Sequence, residues 1–173
     1  MCAYENRRFP CEELKYAKTV GELLLSILKE LFEELGFRAE TFPLERNGAD
    51  MQVYLGDNLV LVAEVLNWSI GSRLTDRRKE NIIRNLDQHS CNKLLIHTIP
   101  LSNTNGVEEG GIDLLKIGFQ ILPVTYYIFF FAKKQVMKRW IDCDATRKRI
   151  RSKILDYVNN HLFAHRYFRT LIE

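Results

Sequence analysis

The chain lacks the features that mark several common protein classes. It has only four cysteines, widely separated and without a Cys-x-x-Cys spacing, so a zinc site is not indicated and reduced thiols are expected. The longest apolar run, from Tyr126 to Ala132, is far shorter than the ~20 residues that a membrane-spanning helix needs. The first residues are polar and charged and do not resemble a secretory signal. We therefore expect a cytoplasmic protein with no membrane partner.

The size and composition are those of one globular domain. The chain has 173 residues, of which 46% are hydrophobic and 27% charged, and its formal net charge is +3. This length is enough for one sizeable core and short for two. We expect residues 1–124 to form a core with an N-terminal arm. Residues 125–173 are then a helical extension that packs on the same domain.

The pattern of apolar residues predicts an α/β fold. Apolar residues recur at helical spacing from Glu12 to Leu35, and Gly36 is a suitable C-terminal stop. The predicted order is helix, three antiparallel strands, helix, strand, short helix, strand and C-terminal helices. After the first helix, the predicted strands cover 37–44, 51–55, 59–66, 93–99 and 119–124. The predicted helices cover 75–87, 112–117, 126–140 and 145–167, and 126–131 equally fits a strand.

Two acidic residues are placed symmetrically about a turn. Asp50 and Glu64 are equally far from Asp57, which lies within Gly56-Asp57-Asn58 between two strand-like runs. These turn residues accept positive φ at little cost, so a hairpin is predicted. A hairpin centred on Asp57 brings Asp50 opposite Glu64, with Cβ atoms roughly 4.5–5.5 Å apart. Two like charges so close need a counter-ion, although a one-residue slip at the turn would separate them.

The residues around this acidic pair also follow a pattern. Gly48-Ala49-Asp50 precedes the hairpin, and Ala63-Glu64-Val65-Leu66-Asn67-Trp68 ends it. Together they resemble the signature of the PD-(D/E)XK nuclease superfamily, which includes many restriction enzymes and the archaeal Holliday-junction resolvases. The resemblance covers roughly Glu12 to Val124. It implies a restriction-endonuclease-like core, whose element order is the one predicted above.

The resemblance also implies a function and a set of site residues. Members of this superfamily hydrolyse phosphodiester bonds in DNA with a metal-activated water. By this resemblance Asp50, Glu64 and the backbone carbonyl of Val65 would bind the metal, and Glu22 of the first helix would assist. Oxygen ligands of this kind favour Mg²⁺ or Mn²⁺.

The chain departs from the family pattern at Leu66, where the family has a lysine. Side chains alternate along a strand, so residue 66 points the same way as Glu64. The family lysine orients and helps to deprotonate the attacking water, which leucine cannot do. Lys79 is the nearby candidate substitute, because arginine holds its proton too tightly to act as a base. The protein is then either a nuclease with a relocated lysine or a nuclease fold that binds nucleic acid without cutting it.

Two clusters of basic residues predict a nucleic-acid partner. The first follows the hairpin and the second opens the last helix; the residues in them expected to contact nucleic acid are Arg73, Arg77 and Arg78, and Arg147, Lys148 and Arg151. Cationic strips of this kind match a phosphate backbone, and their binding weakens as salt rises. No base-reading motif is present, so recognition of the DNA backbone or of DNA structure is favoured. A solvated helix face is the alternative explanation.

The aromatic segment Tyr126–Phe131 is apolar on every side of a helix. Burial in the core is the default for such a segment, but it is also typical of a subunit interface. A homodimer is therefore a further hypothesis. The least specific interpretation of the whole chain is an α/β interaction domain in which the acidic pair has no chemical role.

Overall fold

The computed structural model of the protein describes residues 20–42, 48–118, 120–121 and 143–163. The helices are α1 (Val20–Glu34), α2 (Asp76–Leu86) and α3 (Cys143–Tyr157), the last continuing into a π-helical segment, Val158–Phe163. The strands are β1 (Arg38–Thr41), β2 (Met51–Leu55), β3 (Asn58–Leu66), β4 (Asn92–His97) and β5 (Asp113–Lys116). Two 3₁₀ turns, Leu101–Asn103 and Val107–Gly110, connect β4 to β5.

The strands form one mixed sheet in the order β1-β2-β3-β4-β5. The pairs β1–β2 and β2–β3 are antiparallel, whereas β3–β4 and β4–β5 are parallel. The β3–β4 connection runs through α2, as a parallel pair requires a crossover. The predicted α/β class is therefore confirmed, and the predicted first strand is an edge strand of the sheet.

The end of α1 is fixed by the glycine that the sequence indicated. Gly36 has a φ of 89°, and its N–H donates to the Glu33 carbonyl at 3.0 Å. The Phe37 N–H donates to the Phe32 carbonyl at 3.1 Å, which completes a Schellman motif. The rings of Phe32 and Phe37 meet edge to face with centroids 6.1 Å apart. The prediction of this stop is confirmed, and residues 12–19 of the predicted helix lie outside the described residues.

The two faces of the sheet are covered by different helices. One face packs against α1 and α3, and its buried strand residues include Met51, Leu61 and Ala63. The other face packs against α2, and its buried residues include Val62 and Leu66. Alternation along β3 assigns Glu64 to the α2 face, with Val62 and Leu66. The Thr75 hydroxyl caps α2 by accepting from the Arg78 N–H at 3.3 Å.

One predicted helix is wrong. Residues 112–117 were expected to form a short helix, but Asp113–Lys116 is β5, paired in parallel with β4. The segment is short, and its apolar residues Ile112, Leu114, Leu115 and Ile117 fit a helical pattern as well as a strand, so local periodicity does not distinguish the two. The strand predicted at 119–124 lies mostly outside the described residues.

The C-terminal predictions are only partly covered by the described residues. The helix predicted from Ala145 begins in the structure at Cys143, and its path becomes π-helical from Val158. The helix predicted at 126–140, with the Tyr126–Phe131 segment that suggested a homodimer, lies outside the described residues. Within the described ranges, no helix combines the length and the apolar character needed to cross a membrane.

Candidate functional site

The β2–β3 hairpin brings Asp50 level with Glu64. The turn contains only Gly56 and Asp57, because Asn58, which was predicted to lie in the turn, already pairs with Leu55. This shorter turn would shift the register by one residue. A bulge at Val60 restores the register, because Tyr54 pairs with Leu59 whereas Val53 pairs with Leu61. The ladder then continues to the pair of Met51 and Ala63. The next positions along the two chains are Asp50 and Glu64.

Asp50 is held on both of its sides. Its backbone carbonyl accepts from the Phe42 N–H at 2.8 Å, which extends the β1–β2 ladder. Its side-chain Oδ2 accepts from the Val65 N–H at 2.8 Å, which extends the β2–β3 contact. The carboxyl group is therefore fixed at the end of the paired strands, within hydrogen-bonding range of the Glu64 carboxyl group.

Helix α2 supplies the other contacts of Glu64. The Asn85 side-chain amide donates to Oε1 at 3.0 Å, and the Arg78 guanidinium donates to Oε2 at 3.3 Å. Arg78, Ile82 and Asn85 follow one another at helical spacing, so they face the sheet together. The Glu64 side chain is only 2% exposed, whereas that of Arg78 is 38% exposed. Glu64 is therefore a buried carboxyl group reached by a cation from the surface.

Burial perturbs both acids. It raises the pKa of Glu64 to about 8, and the neighbouring charge of Asp50 contributes in the same direction. Burial also raises the pKa of Asp50, although its hydrogen bond from the Val65 N–H opposes this. The buried Glu64 and the half-buried Asp50 repel each other when both are ionised, so a shared proton or a bound cation stabilises the pair. One partly exposed arginine does not neutralise the pair.

The donor set fits a hard divalent cation. Mg²⁺ is commonly bound by one or two carboxylates, with the remaining positions filled by water or substrate oxygens. Asp50 and Glu64 supply two carboxylates from adjacent strands. Among the described residues, no group of three or more His, Cys, Asp or Glu side chains could hold a metal ion. The chain would therefore contribute only part of a coordination shell.

Of the other predicted site residues, Glu22 is placed away from this pair, and the role of Lys79 stays a prediction. Glu22 lies on α1, which packs on the opposite face of the sheet from Glu64. Lys79 lies on α2, but in the described part of the chain the cation that forms an ion pair with Glu64 is Arg78. Val65 donates its N–H to Asp50, and a metal-binding role of its carbonyl stays a prediction.

Leu66, which replaces the family lysine, is part of the core. Its side chain is 1% exposed and belongs to a cluster with Leu74, Ile82 and Leu95. This position is therefore filled by apolar packing between β3 and α2. The following residue, Asn67, is also structural, since its amide exchanges hydrogen bonds of 2.7 and 2.8 Å with the backbone of Ile121.

The two predicted basic clusters differ in whether their side chains form ion pairs with other described residues. Arg73 and Arg77 are exposed and form no ion pair with another described residue. Arg147 is only 19% exposed, and it binds Glu30 at 3.1 Å and also Glu34, both on α1. Arg151 approaches Glu34 at 3.7 Å, while Lys148 is exposed. The second cluster thus serves in part to join α3 to α1.

Asn85 was not predicted, and Arg78 was assigned to nucleic acid rather than to Glu64. The available signal was weak: both occur at helical spacing with Ile82 in an otherwise polar helix. No protein-family model matches the chain, and no curated protein matches it. Function is therefore inferred from the contacts around Asp50 and Glu64.

Proposed function

We propose that the protein is a divalent-metal-dependent nuclease-like protein that acts on DNA phosphodiester bonds. Asp50 and Glu64 are its ligands for Mg²⁺ or Mn²⁺. The observation that carries this proposal is the contact between the buried Glu64 carboxyl group and the half-buried Asp50 carboxyl group, both with raised pKa values, with Arg78 beside them. Perturbed groups of this kind concentrate at functional sites, because an uncompensated buried charge destabilises the fold.

The architecture supports the same proposal. A helix, three antiparallel strands, a second helix and a parallel strand follow one another in the described residues. This is the order expected for the restriction-endonuclease-like core. Asp50 immediately precedes the start of β2 and Glu64 lies near the end of β3, the positions that the resemblance implies.

The chain's own residues account for binding and orientation more readily than for proton transfer. A bound metal would activate water and neutralise charge on the phosphate. Asp50 is fixed by the Val65 N–H and Glu64 by the Asn85 amide, so both carboxylates are oriented in advance. Arg78 is close enough to stabilise negative charge, but it does not act as a base. Without a lysine at position 66, we expect slow cleavage.

Metal binding is the first test. Mn²⁺ is titrated by calorimetry into the wild-type protein and into Asp50→Asn and Glu64→Gln. We expect measurable binding by wild type and a loss of more than about tenfold in each variant. Asp57→Asn is the matched control, because it removes an exposed acid from the same hairpin and should bind Mn²⁺ like wild type.

Cleavage is the second test. Supercoiled, branched and single-stranded DNA are incubated with Mg²⁺ or Mn²⁺, and products are separated by electrophoresis. If DNA is cut, Asp50→Asn should abolish cutting and Asp57→Asn should not. Cleavage that survives in both Asp50→Asn and Glu64→Gln would remove the nuclease assignment.

The second candidate function is a DNA-binding protein that retains the fold and does not cut. The burial of Leu66 favours this candidate. The position of the family lysine is filled by apolar packing, and a charged lysine would be costly to bury there. Salt-dependent retention of DNA with no cleavage under any metal would support this candidate. Arg73 and Arg77 are the exposed cations expected to contribute, and Arg77→Gln should weaken retention and reduce its salt dependence.

A further inference from the structure

The contact between Arg78 and Glu64 points to a regulatory role for this arginine. We propose that Arg78 couples metal binding to nucleic-acid binding. Without either ligand, Arg78 is the counter-cation of Glu64. A backbone phosphate draws the guanidinium away from the carboxylate, and a divalent metal then replaces it. This inference rests on the proposed function and assigns a regulator to the same site.

The Arg78–Glu64 contact is suited to exchange. It consists of one donor, an Nη atom 3.3 Å from Oε2, whereas charge-assisted bonds are commonly about 2.7–2.9 Å. Arg78 is 38% exposed and can turn toward solvent, but Glu64 is buried and cannot follow. Among the described residues, the remaining guanidinium N–H groups of Arg78 have no hydrogen-bond partner.

Of the three described groups that donate hydrogen bonds to Asp50 or Glu64, Arg78 is the one with a charge. The other two donors, the Val65 N–H and the Asn85 amide, are neutral and held by the backbone or by burial. The Arg78 charge acts on both Asp50 and Glu64. A metal bound by these carboxylates would therefore compete with Arg78 for the same negative charge.

A phosphate would change that competition. Arg77 precedes Arg78 on α2, Arg73 lies in the loop before the helix, and both are exposed without ion pairs among the described residues. A phosphate held by these cations offers two oxygens to the Arg78 guanidinium. It is therefore a better partner than Glu64, which offers one oxygen at 3.3 Å. Once Arg78 leaves, the metal no longer competes with a guanidinium for the Glu64 carboxyl group and has only its proton to displace, which favours metal uptake. By linkage, each ligand then increases affinity for the other.

The test measures Mn²⁺ affinity by calorimetry with and without a saturating short phosphorothioate duplex that resists cleavage. For wild type we expect the duplex to tighten Mn²⁺ binding by roughly tenfold, within the usual range of coupling between sites. Arg78→Gln should bind Mn²⁺ more tightly than wild type without the duplex, and it should respond little to the duplex. Arg77→Gln is the matched control on the same helix: it should bind the duplex more weakly but keep the coupling once saturated.

Specific outcomes would overturn the inference. One is wild-type Mn²⁺ affinity that the duplex leaves unchanged, and another is Arg78→Gln binding Mn²⁺ no more tightly than wild type. In both cases the proposed function survives if Asp50→Asn still abolishes Mn²⁺ binding. If wild type binds no Mn²⁺ at all, the proposed function and the inference fail together. The wild-type measurement alone remains decisive if Arg78→Gln does not fold.

Discussion

The two faces of the sheet use arginine–glutamate contacts in opposite ways. On the α1–α3 face the core is apolar, and the ion pair between Arg147 and Glu30 lies outside it, with both side chains partly exposed. On the α2 face, Glu64 is inserted among apolar residues and is met by Arg78 from the surface. The first pair joins two helices at little desolvation cost. The second leaves a buried charge incompletely compensated, which is unfavourable for stability and is expected where the chain serves a ligand.

This difference implies that the α1–α3 face carries most of the stability. Its largest fully buried side chain is Phe32, which contacts Phe37 edge to face. Phe32→Ala should lower the free energy of unfolding by about 3–5 kcal/mol, measured by urea denaturation, because it removes a ring and leaves a cavity. Glu33→Ala, the next residue and an exposed one, should change it little. A similarly small effect of both variants would contradict the division of roles between the two faces.

The second prediction concerns the cost of the buried acid. Because the pKa of Glu64 is raised from 4.5 to about 8 in the folded protein, the unfolded chain releases this proton at a lower pH. Its contribution to stability is complete below about pH 4.5 and is lost as the pH rises toward 8. Relative to wild type, Glu64→Gln should therefore gain on the order of a few kcal/mol of stability between pH 5 and pH 8.

The measurement is urea denaturation of both proteins across that range in a metal-free buffer. The difference between wild type and variant removes groups common to both, including His97, whose pKa is lowered by burial and which acts in the opposite direction. Glu33→Gln is the control, since it removes an exposed carboxyl group of α1. Parallel pH profiles of wild type and Glu64→Gln would mean that Glu64 is ionised without penalty.

The third prediction tests the ion pairs on the other face. Arg147 joins α3 to Glu30 and Glu34 of α1, so Arg147→Gln should lower the free energy of unfolding by about 1 kcal/mol. The effect should shrink as salt is added, because these charges are partly exposed. Lys148→Gln, an exposed neighbour, is the matched control. Unfolding by urea at low and high salt measures both, and equal losses in the two variants would exclude a specific role for Arg147.

The sequence contained the acidic pair but not its surroundings. Alternation and a turn between two strands predicted the register of Asp50 and Glu64, although the predicted turn was one residue too long and an unforeseen bulge at Val60 compensated. Local patterns report which residues share a face of one element. They do not report which face meets which element, so the approach of Arg78 and Asn85 to Glu64 could not be derived.

The inability of local patterns to report tertiary contacts also explains the other differences between the predictions and the structure. Arg147 finds its partners on α1, far away in the chain, and its charge alone did not separate an interhelix contact from a DNA contact. The apolar residues at 112–117 satisfy both helical and buried-strand patterns over such a short segment, and pairing with β4 decides between them. In each case a tertiary contact resolves what the local pattern leaves open.

The smallest expected effect lies at the start of α2, the helix that carries Arg78 and Asn85. Thr75 caps this helix through a 3.3 Å bond to the Arg78 N–H at an exposed site, so Thr75→Ala should lower the free energy of unfolding by only about 0.5–1 kcal/mol. Because the cap holds the first turn, the same variant should perturb the Arg78–Glu64 contact more than the apolar α1–α3 face. Hydrogen exchange of the α2 and α1 amides distinguishes these regions: faster exchange confined to α2 is expected. Equal acceleration in α1 would mean that the two faces unfold as one unit and that α2 has no separate freedom to release its arginine.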